Sequence, residues 1–256
     1  MPRFAANLSV LFTELPMPER FAAAAEAGFE GVEILFPYDL TARELSRAAI
    51  AAGTEIVLIN APPPNWTGGP RGFAAVPGLE ERFRRDFERS LRVAEALRVR
   101  HINIMAGRAA GPQALDTLTR NLAWAAERAP HASLTIEPAC PQSMPGVFLT
   151  DYGTALDVIR RIGAPNLGLQ LDMHHALSIT GDLVACWRQV SALTRHVQIG
   201  GWPARNEPEP ETEPLAGFMA ALRSSEYRGW IGAEYEPART TQAGLNWLGR
   251  LRGLGA

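Results

Sequence analysis

Leu167-Gly168-Leu169-Gln170-Leu171-Asp172-Met173-His174-His175 is the stretch from which the fold can be read. Leu167–Leu171 is too short for a helix and more apolar than a strand with one wet face. It reads as a strand buried on both faces, the kind found in parallel sheets. A carboxylate and two imidazoles follow at once. Before it, Tyr152–Ile162 carries apolar residues at three-to-four spacing and closes on Gly163, where a glycine helix stop is expected. The local unit is therefore helix, glycine, buried strand, polar end.

The same unit recurs in both directions. Strands are expected at Arg3–Ser9, Gly31–Leu35, Glu55–Asn60, His101–Ala106, Ser133–Pro138, Leu167–Leu171, His196–Ile199 and Trp230–Glu234. Helices are expected at Pro18–Ala27, Ala42–Ala52, Glu80–Leu97, Pro112–Arg128, Tyr152–Ile162, Leu183–Leu193, Leu215–Ser225 and Thr241–Leu251, with Gly28, Gly53 and Gly229 as further stops. Strands alternating with helices make an α/β protein with a parallel, helix-covered sheet. Eight units in 256 residues predict one (β/α)8 TIM barrel spanning residues 1–256. The rival, a doubly wound open sheet, lacks its phosphate-binding GxGxxG or GxxxxGK[ST] turn. Two proline-rich loops interrupt the rhythm, 61–78 and 200–214. In a barrel both lie at the C-terminal mouth, where active sites are built.

Composition excludes several classes. Hydrophobic residues make up 46% and charged residues 20%, so the chain is globular rather than disordered. A net charge of −2 gives no basic footprint for nucleic acid or anionic lipid. No run of 18 apolar residues and no signal-peptide pattern occurs. Cys140 and Cys186 match no metal or redox spacing. A cytoplasmic protein acting on a small molecule, without nucleic acid or membrane, is the expectation. The sequence leaves the oligomeric state open.

The chemistry gathers at the ends of the last four strands, in Glu137, Asp172, Gln198 and Glu234. Consecutive barrel strands bring these four to one ring at the mouth. Three carboxylates so placed repel one another and resist desolvation, which a divalent cation relieves. Carboxylate and amide oxygens are hard ligands and suit Mg²⁺ or Mn²⁺ better than zinc. One such ion is expected, held by Glu137, Asp172, Gln198 and Glu234. On the facing wall stand Asn7, Glu33 and Asn60. Asn7, Asn60, His175 and Arg71 are the expected substrate contacts, Arg71 as a fork for a carboxylate. Trp66, on the same loop as Arg71, is placed to roof the site or to pin the loop. His101 and His196 begin strands and read as structural.

Arg3-Phe-Ala-Ala-Asn-Leu-Ser9, Gly31-Val-Glu-Ile-Leu-Phe-Pro-Tyr38, Ile136-Glu-Pro138, Gln170-Leu-Asp-Met-His-His175, His196-Val-Gln-Ile199 and Gly229-Trp-Ile-Gly-Ala-Glu-Tyr235 together resemble hydroxypyruvate isomerase, a family of xylose-isomerase-like barrels. The resemblance runs in order from Arg3 to about Leu248. The opening Met1–Ser9 and the stretch His196–Pro208 are closest to the branch that isomerises 2-oxo-tetronates. It implies one divalent metal on Glu137, Asp172, Gln198 and Glu234, with Glu137 and Glu234 also catalytic as the acid/base pair. The implied reaction interconverts hydroxypyruvate with tartronate semialdehyde, or a 2-oxo-tetronate with its 3-oxo isomer. That agrees with the residues read alone, since moving a proton between adjacent carbons needs a base, an acid and a cation beside the enediolate.

The chain departs from the family pattern at Cys140-Pro141, where Asn-His is usual, at Gly200-Gly201, where Ala-Asp is usual, at Glu211–Leu215, and at Glu236, where Lys is usual. Two other readings stand beside the isomerase. One is a sugar 3-epimerase, whose family places His where Gln198 stands. The other is a binding protein that has lost turnover. A multi-zinc nuclease would need more than the five histidines present.

Overall fold

The computed structural model describes residues 3–62 and 71–253, so Trp66 and the rest of residues 63–70 in the 61–78 loop lie outside the described residues. Eight parallel strands close in chain order into a barrel: β1 (Arg3–Asn7), β2 (Gly31–Glu33), β3 (Glu55–Ala61), β4 (His101–Ile104), β5 (Ser133–Ile136), β6 (Leu167–Asp172), β7 (Thr194–Ile199) and β8 (Trp230–Ala233). The closing pair is β1 with β8. The strands are nearly all buried on both faces, as their apolar runs require, and every residue of β6 is buried. Register aligns the polar ends, with Asp172 beside Gln198 and Gln198 beside Gly232.

Ten helices are described: α1 (Met17–Glu26), α2 (Ala42–Ala52), α3 (Glu80–Leu97), α4 (Pro112–Arg128), α5 (Tyr152–Ile162), α6 (Met173–Thr180), α7 (Leu183–Val190), α8 (Leu215–Ser224), α9 (Thr241–Gly244) and α10 (Asn246–Gly253). Their apolar stripes cover the barrel. Phe83 and Phe87 of α3 meet Trp124 of α4, and Trp247 of α10 packs on Phe4 of β1. α2 opens with a capping box, Thr41 and Glu44, and ends at Gly53 in the left-handed conformation. Gly163 closes α5 in the same way.

Three local expectations are corrected. The residues after Asp172 form α6 rather than a loop, because the Asp172 carboxylate accepts from the His175 backbone N–H at 2.9 Å and caps a new helix. The last expected helix is two helices that meet at Leu245. Gly229 stops no helix, since α8 ends at Ser224 with Ser225 as its cap. Gly229 instead leaves room for the Tyr227 ring, which a Cβ would strike. Cys140 and Cys186 are both buried and unpaired. Among the described residues no helix is long and apolar enough to cross a membrane.

Candidate active site

β5, β6 and β8 end beside one another and deliver Glu137, Asp172 and Glu234 to the mouth of the barrel. What joins them is a residue that the sequence reading missed, Arg205 on the 200–214 loop. Its Nη2 donates to Asp172 Oδ2 at 2.7 Å and to Glu234 Oε1 at 2.8 Å. Arg205 stands in the left-handed region at φ 53°, in a turn closed by Gly201 N–H to Asn206 O and Arg205 N–H to Gly201 O. A Cβ on Gly201 would come within 2.6 Å of the Glu207 carbonyl, and one on Gly200 within 2.9 Å of the Glu234 carbonyl. The Gly200-Gly201 departure is thus what lets the loop fold down over β8 and place the guanidinium. The signal available in the sequence was the His196–Pro208 stretch, but loop residues have no period that tells which side chain turns inward.

Burial sets the charges apart. Glu137 is pushed well above the usual carboxyl range by desolvation, then by the fields of Asp172 and Glu234. Glu234 is pushed up to about 7, by desolvation first and by Asp172 and Glu33, with Arg205 opposing. Asp172 goes the other way: burial would raise it, but Arg205, His175 and the backbone N–H together hold it below its ordinary value. Burial lowers His175, and its Nδ1 accepts from the Cys140 backbone N–H at 3.3 Å, which leaves the proton of the neutral ring on Nε2.

The donor set fits a divalent cation in type and in charge. Two of the three hard carboxylates, Asp172 and Glu234, share one guanidinium whose field also reaches Glu137, and the raised Glu137 and Glu234 mark negative charge that Arg205 alone does not balance. Geometry is another matter. Among the described residues no three His, Cys, Asp or Glu side chains stand at metal-holding spacing, and the Arg205 guanidinium lies between Asp172 and Glu234. Gln198 is placed as a donor: its Nε2 gives to Glu234 Oε2 at 2.6 Å and to Glu33 Oε2 at 2.7 Å, while its Oε1 accepts from Gln170 at 2.8 Å. Ligation through Oε1 requires that amide to turn over.

The remaining expected residues divide. Asn7 is in the cluster, with its Nδ2 on Glu234 at 2.9 Å and on Glu33 at 3.4 Å. Asn60 is one step removed, accepting from Asn103, whose Nδ2 also reaches Glu137 at 3.5 Å. Asn103, on β4, went unremarked in the sequence, as did Gln170. His175 lies in the first turn of α6 and is buried. Arg71 stands apart: it is exposed, its guanidinium lies over the Phe36 ring, and it lines a cavity of about 260 Å³ with Arg108, Ser143 and Val147. Glu236 is exposed and turned out of the cluster.

A family model described as the xylose isomerase-like TIM barrel matches residues 21–251. The chain belongs to that family. It is 39% identical, over 97% of its length and 98% of the relative's, to a 2-oxo-tetronate isomerase of Cupriavidus necator. Against a hydroxypyruvate isomerase of Escherichia coli the identity is 37% over the same shares of the two chains. A solved structure from Brucella melitensis, described as an AP endonuclease of family 2, superposes with a TM-score of 0.93 at 40% identity, covering 98% of this chain and 99% of that one. An L-ribulose 3-epimerase shares the fold at 18% identity and a TM-score of 0.83. With relatives such as the first two matched end to end, the chain is an isomerase.

Proposed function

We propose that this family member interconverts a small 2-oxo acid with its neighbouring isomer: hydroxypyruvate with tartronate semialdehyde, or a 2-oxo-tetronate with the 3-oxo-tetronate. The observation that carries the proposal is the arrangement of Glu137 and Glu234, two carboxyls raised by burial in the barrel mouth, with Asp172 held ionised beside a shared guanidinium. An aldose–ketose shift needs one group to take a proton from the hydroxyl-bearing carbon and another to return one to the adjacent carbon. Carboxyls raised above their ordinary range do both, because each is a competent base when ionised and a competent acid when protonated. Arg205, held over the cluster, donates to the oxygen on which the enediolate charge collects. His175 presents Nε2–H to the second oxygen or to the substrate carboxylate. Asn7 and Gln198 fix Glu234, and Asn103 fixes Glu137, so the proton carriers do not swing.

A divalent metal, Mg²⁺ or Mn²⁺, suits Glu137, Asp172 and Glu234, with Gln198 as fourth ligand once its amide turns. When bound it supplies positive charge to the adjacent oxygens of the enediolate. The test is turnover of chelator-treated protein with and without added Mn²⁺ or Mg²⁺, with hydroxypyruvate and a 2-oxo-tetronate offered side by side and a ketose as the epimerase control. Turnover of one acid that returns with metal is the expected result. Turnover of the ketose alone overturns the proposal in favour of an epimerase, and turnover of nothing overturns it in favour of a binding protein.

A further inference from the structure

Below the carboxylate cluster, on the barrel axis, lies a second carboxylate that the mechanism has not used. Glu33 ends β2 and is fully buried. Room for it is made by Gly232 of β8, where any Cβ would overlap Glu33 Oε1. Its Oε1 is 2.6 Å from Nε2 of His196, which is fully buried and whose Nδ1 has no partner among the described residues. Its Oε2 receives Nε2 of Gln198 at 2.7 Å and Nδ2 of Asn7 at 3.4 Å. The same two amides donate to Glu234, both to Oε2, at 2.6 and 2.9 Å. Two amide groups from β1 and β7 therefore bridge two carboxylates, one at the mouth and one beneath it.

A primary amide offers two N–H bonds in a fixed plane. If Glu33 takes one from each, the other from each is aimed at Glu234. Remove the lower acceptor and the Gln198 amide keeps only Gln170 on its Oε1 and Glu234 on its Nε2, and Asn7 keeps only Glu234 on its Nδ2. A buried carboxylate without a paired partner is costly, so a fold that keeps Glu33 must hold it, and His196 with the Gly232 gap does so.

We infer that Glu33, clamped by His196, is a positioning residue: through the Asn7 amide, and through Gln198 until metal ligation turns that amide away, it fixes Glu234 Oε2 and leaves Oε1 as the oxygen that faces Arg205 and the substrate. The inference rests on the isomerase reading for its kinetic consequence but not for its geometry. Residues that orient a reactive group in this way typically contribute roughly 10–100-fold to activity.

The test uses full-length Glu33→Gln and Glu33→Asp, the first removing the charge in place and the second retracting a charged carboxylate by one methylene. Each is assayed for kcat and KM on the acid that the wild type turns over, and each is crystallised. The expected result is a kcat roughly 10–100-fold lower in both with KM little changed, and, in metal-free crystals compared with metal-free wild type, rotated Asn7 or Gln198 amides with a shifted Glu234. A purely structural role predicts instead a lower melting temperature with normal kcat in the folded fraction. Wild-type kcat in both variants overturns the inference. So does a fall in kcat with Asn7, Gln198 and Glu234 unmoved. A charge-only role is the outcome if Glu33→Asp is normal and Glu33→Gln is not, and it also overturns the inference. Should the wild type turn over neither acid, the isomerase reading fails, and the positions of the two amides in the crystals still decide the role of Glu33.

Discussion

The two ends of the barrel carry opposite charges and handle them in opposite ways. At the N-terminal end, Arg3, Arg100, Arg195 and Arg228 surround a cavity of about 630 Å³ that Glu226 also lines. Glu30 and Glu55 meet Arg3 and Arg100 there, with side chains one third to one half exposed. Water screens such pairs, and each contributes little. At the C-terminal end, Asp172 and Glu234 share Arg205 beside Glu137; the Arg205 side chain is 22% exposed and that of Asp172 2%. The imbalance at that end is not screened. It appears as two carboxyls raised above their ordinary value, Glu234 to about 7. Burial, rather than the number of charges, turns a charged cluster into a chemical one.

The largest effect that would break this contrast lies in the mouth itself. Glu137→Gln and Glu234→Gln are each expected to lower kcat at least about 100-fold, the low end for positioned acid–base groups. Near-normal kcat in either variant, measured with metal present, removes that residue from the proton path. Arg205→Met comes next. It takes the one guanidinium from the cluster, and kcat/KM is expected to fall about 100-fold, as for loss of a donor aimed at developing charge. Arg205→Lys keeps the charge but not the planar guanidinium whose Nη2 donates to both Asp172 and Glu234, so it should recover only part of the rate. Full recovery by Lys would mean that charge alone matters there.

His101 sharpens the comparison, because it is the buried member of the screened end. Desolvation, then the fields of His196, Arg100 and Arg195, push its imidazole well below the ordinary 6.5. The folded state therefore keeps His101 neutral while the unfolded chain protonates it below pH about 6.5. Its contribution to stability is complete above that pH and declines as the pH falls below it. His101→Asn, which can keep the hydrogen bond to Ser133, is expected to flatten the loss of stability between pH 6.5 and 5 in thermal melts. An unchanged slope would assign the acid sensitivity to other groups. The smallest effect belongs to the exposed pair of Arg250 and Glu211, both about half exposed. Arg250→Ala should change stability by no more than about 0.5 kcal/mol in denaturant titration.

How much could be read in advance differs between the barrel wall and its mouth. The wall was legible, since doubly buried strands and amphipathic helices each print a period on the sequence, and eight repeats of that period close in one way. The acidic strand ends were legible too, because a polar residue that ends an apolar strand points at the mouth by position alone. Asn103 and Gln170 were missed for the opposite reason. They lie inside apolar runs, where only the neighbouring strand tells whether an amide faces the barrel axis or the helices. Arg71 was chosen because loop arginines reach carboxylates, and nothing in the sequence signals that its guanidinium lies over the Phe36 ring.

The sequence alone thus determined the barrel, the order of its strands, and the ring of Glu137, Asp172, Gln198 and Glu234, because those follow from local periods and from alternation. The tertiary structure decided what stands between them. Arg205 enters through a turn that Gly200 and Gly201 permit, and Glu33 meets His196 across 163 positions of chain. Such contacts depend on how a loop folds back and on which side chains face the axis, and neither leaves a periodic trace in the chain.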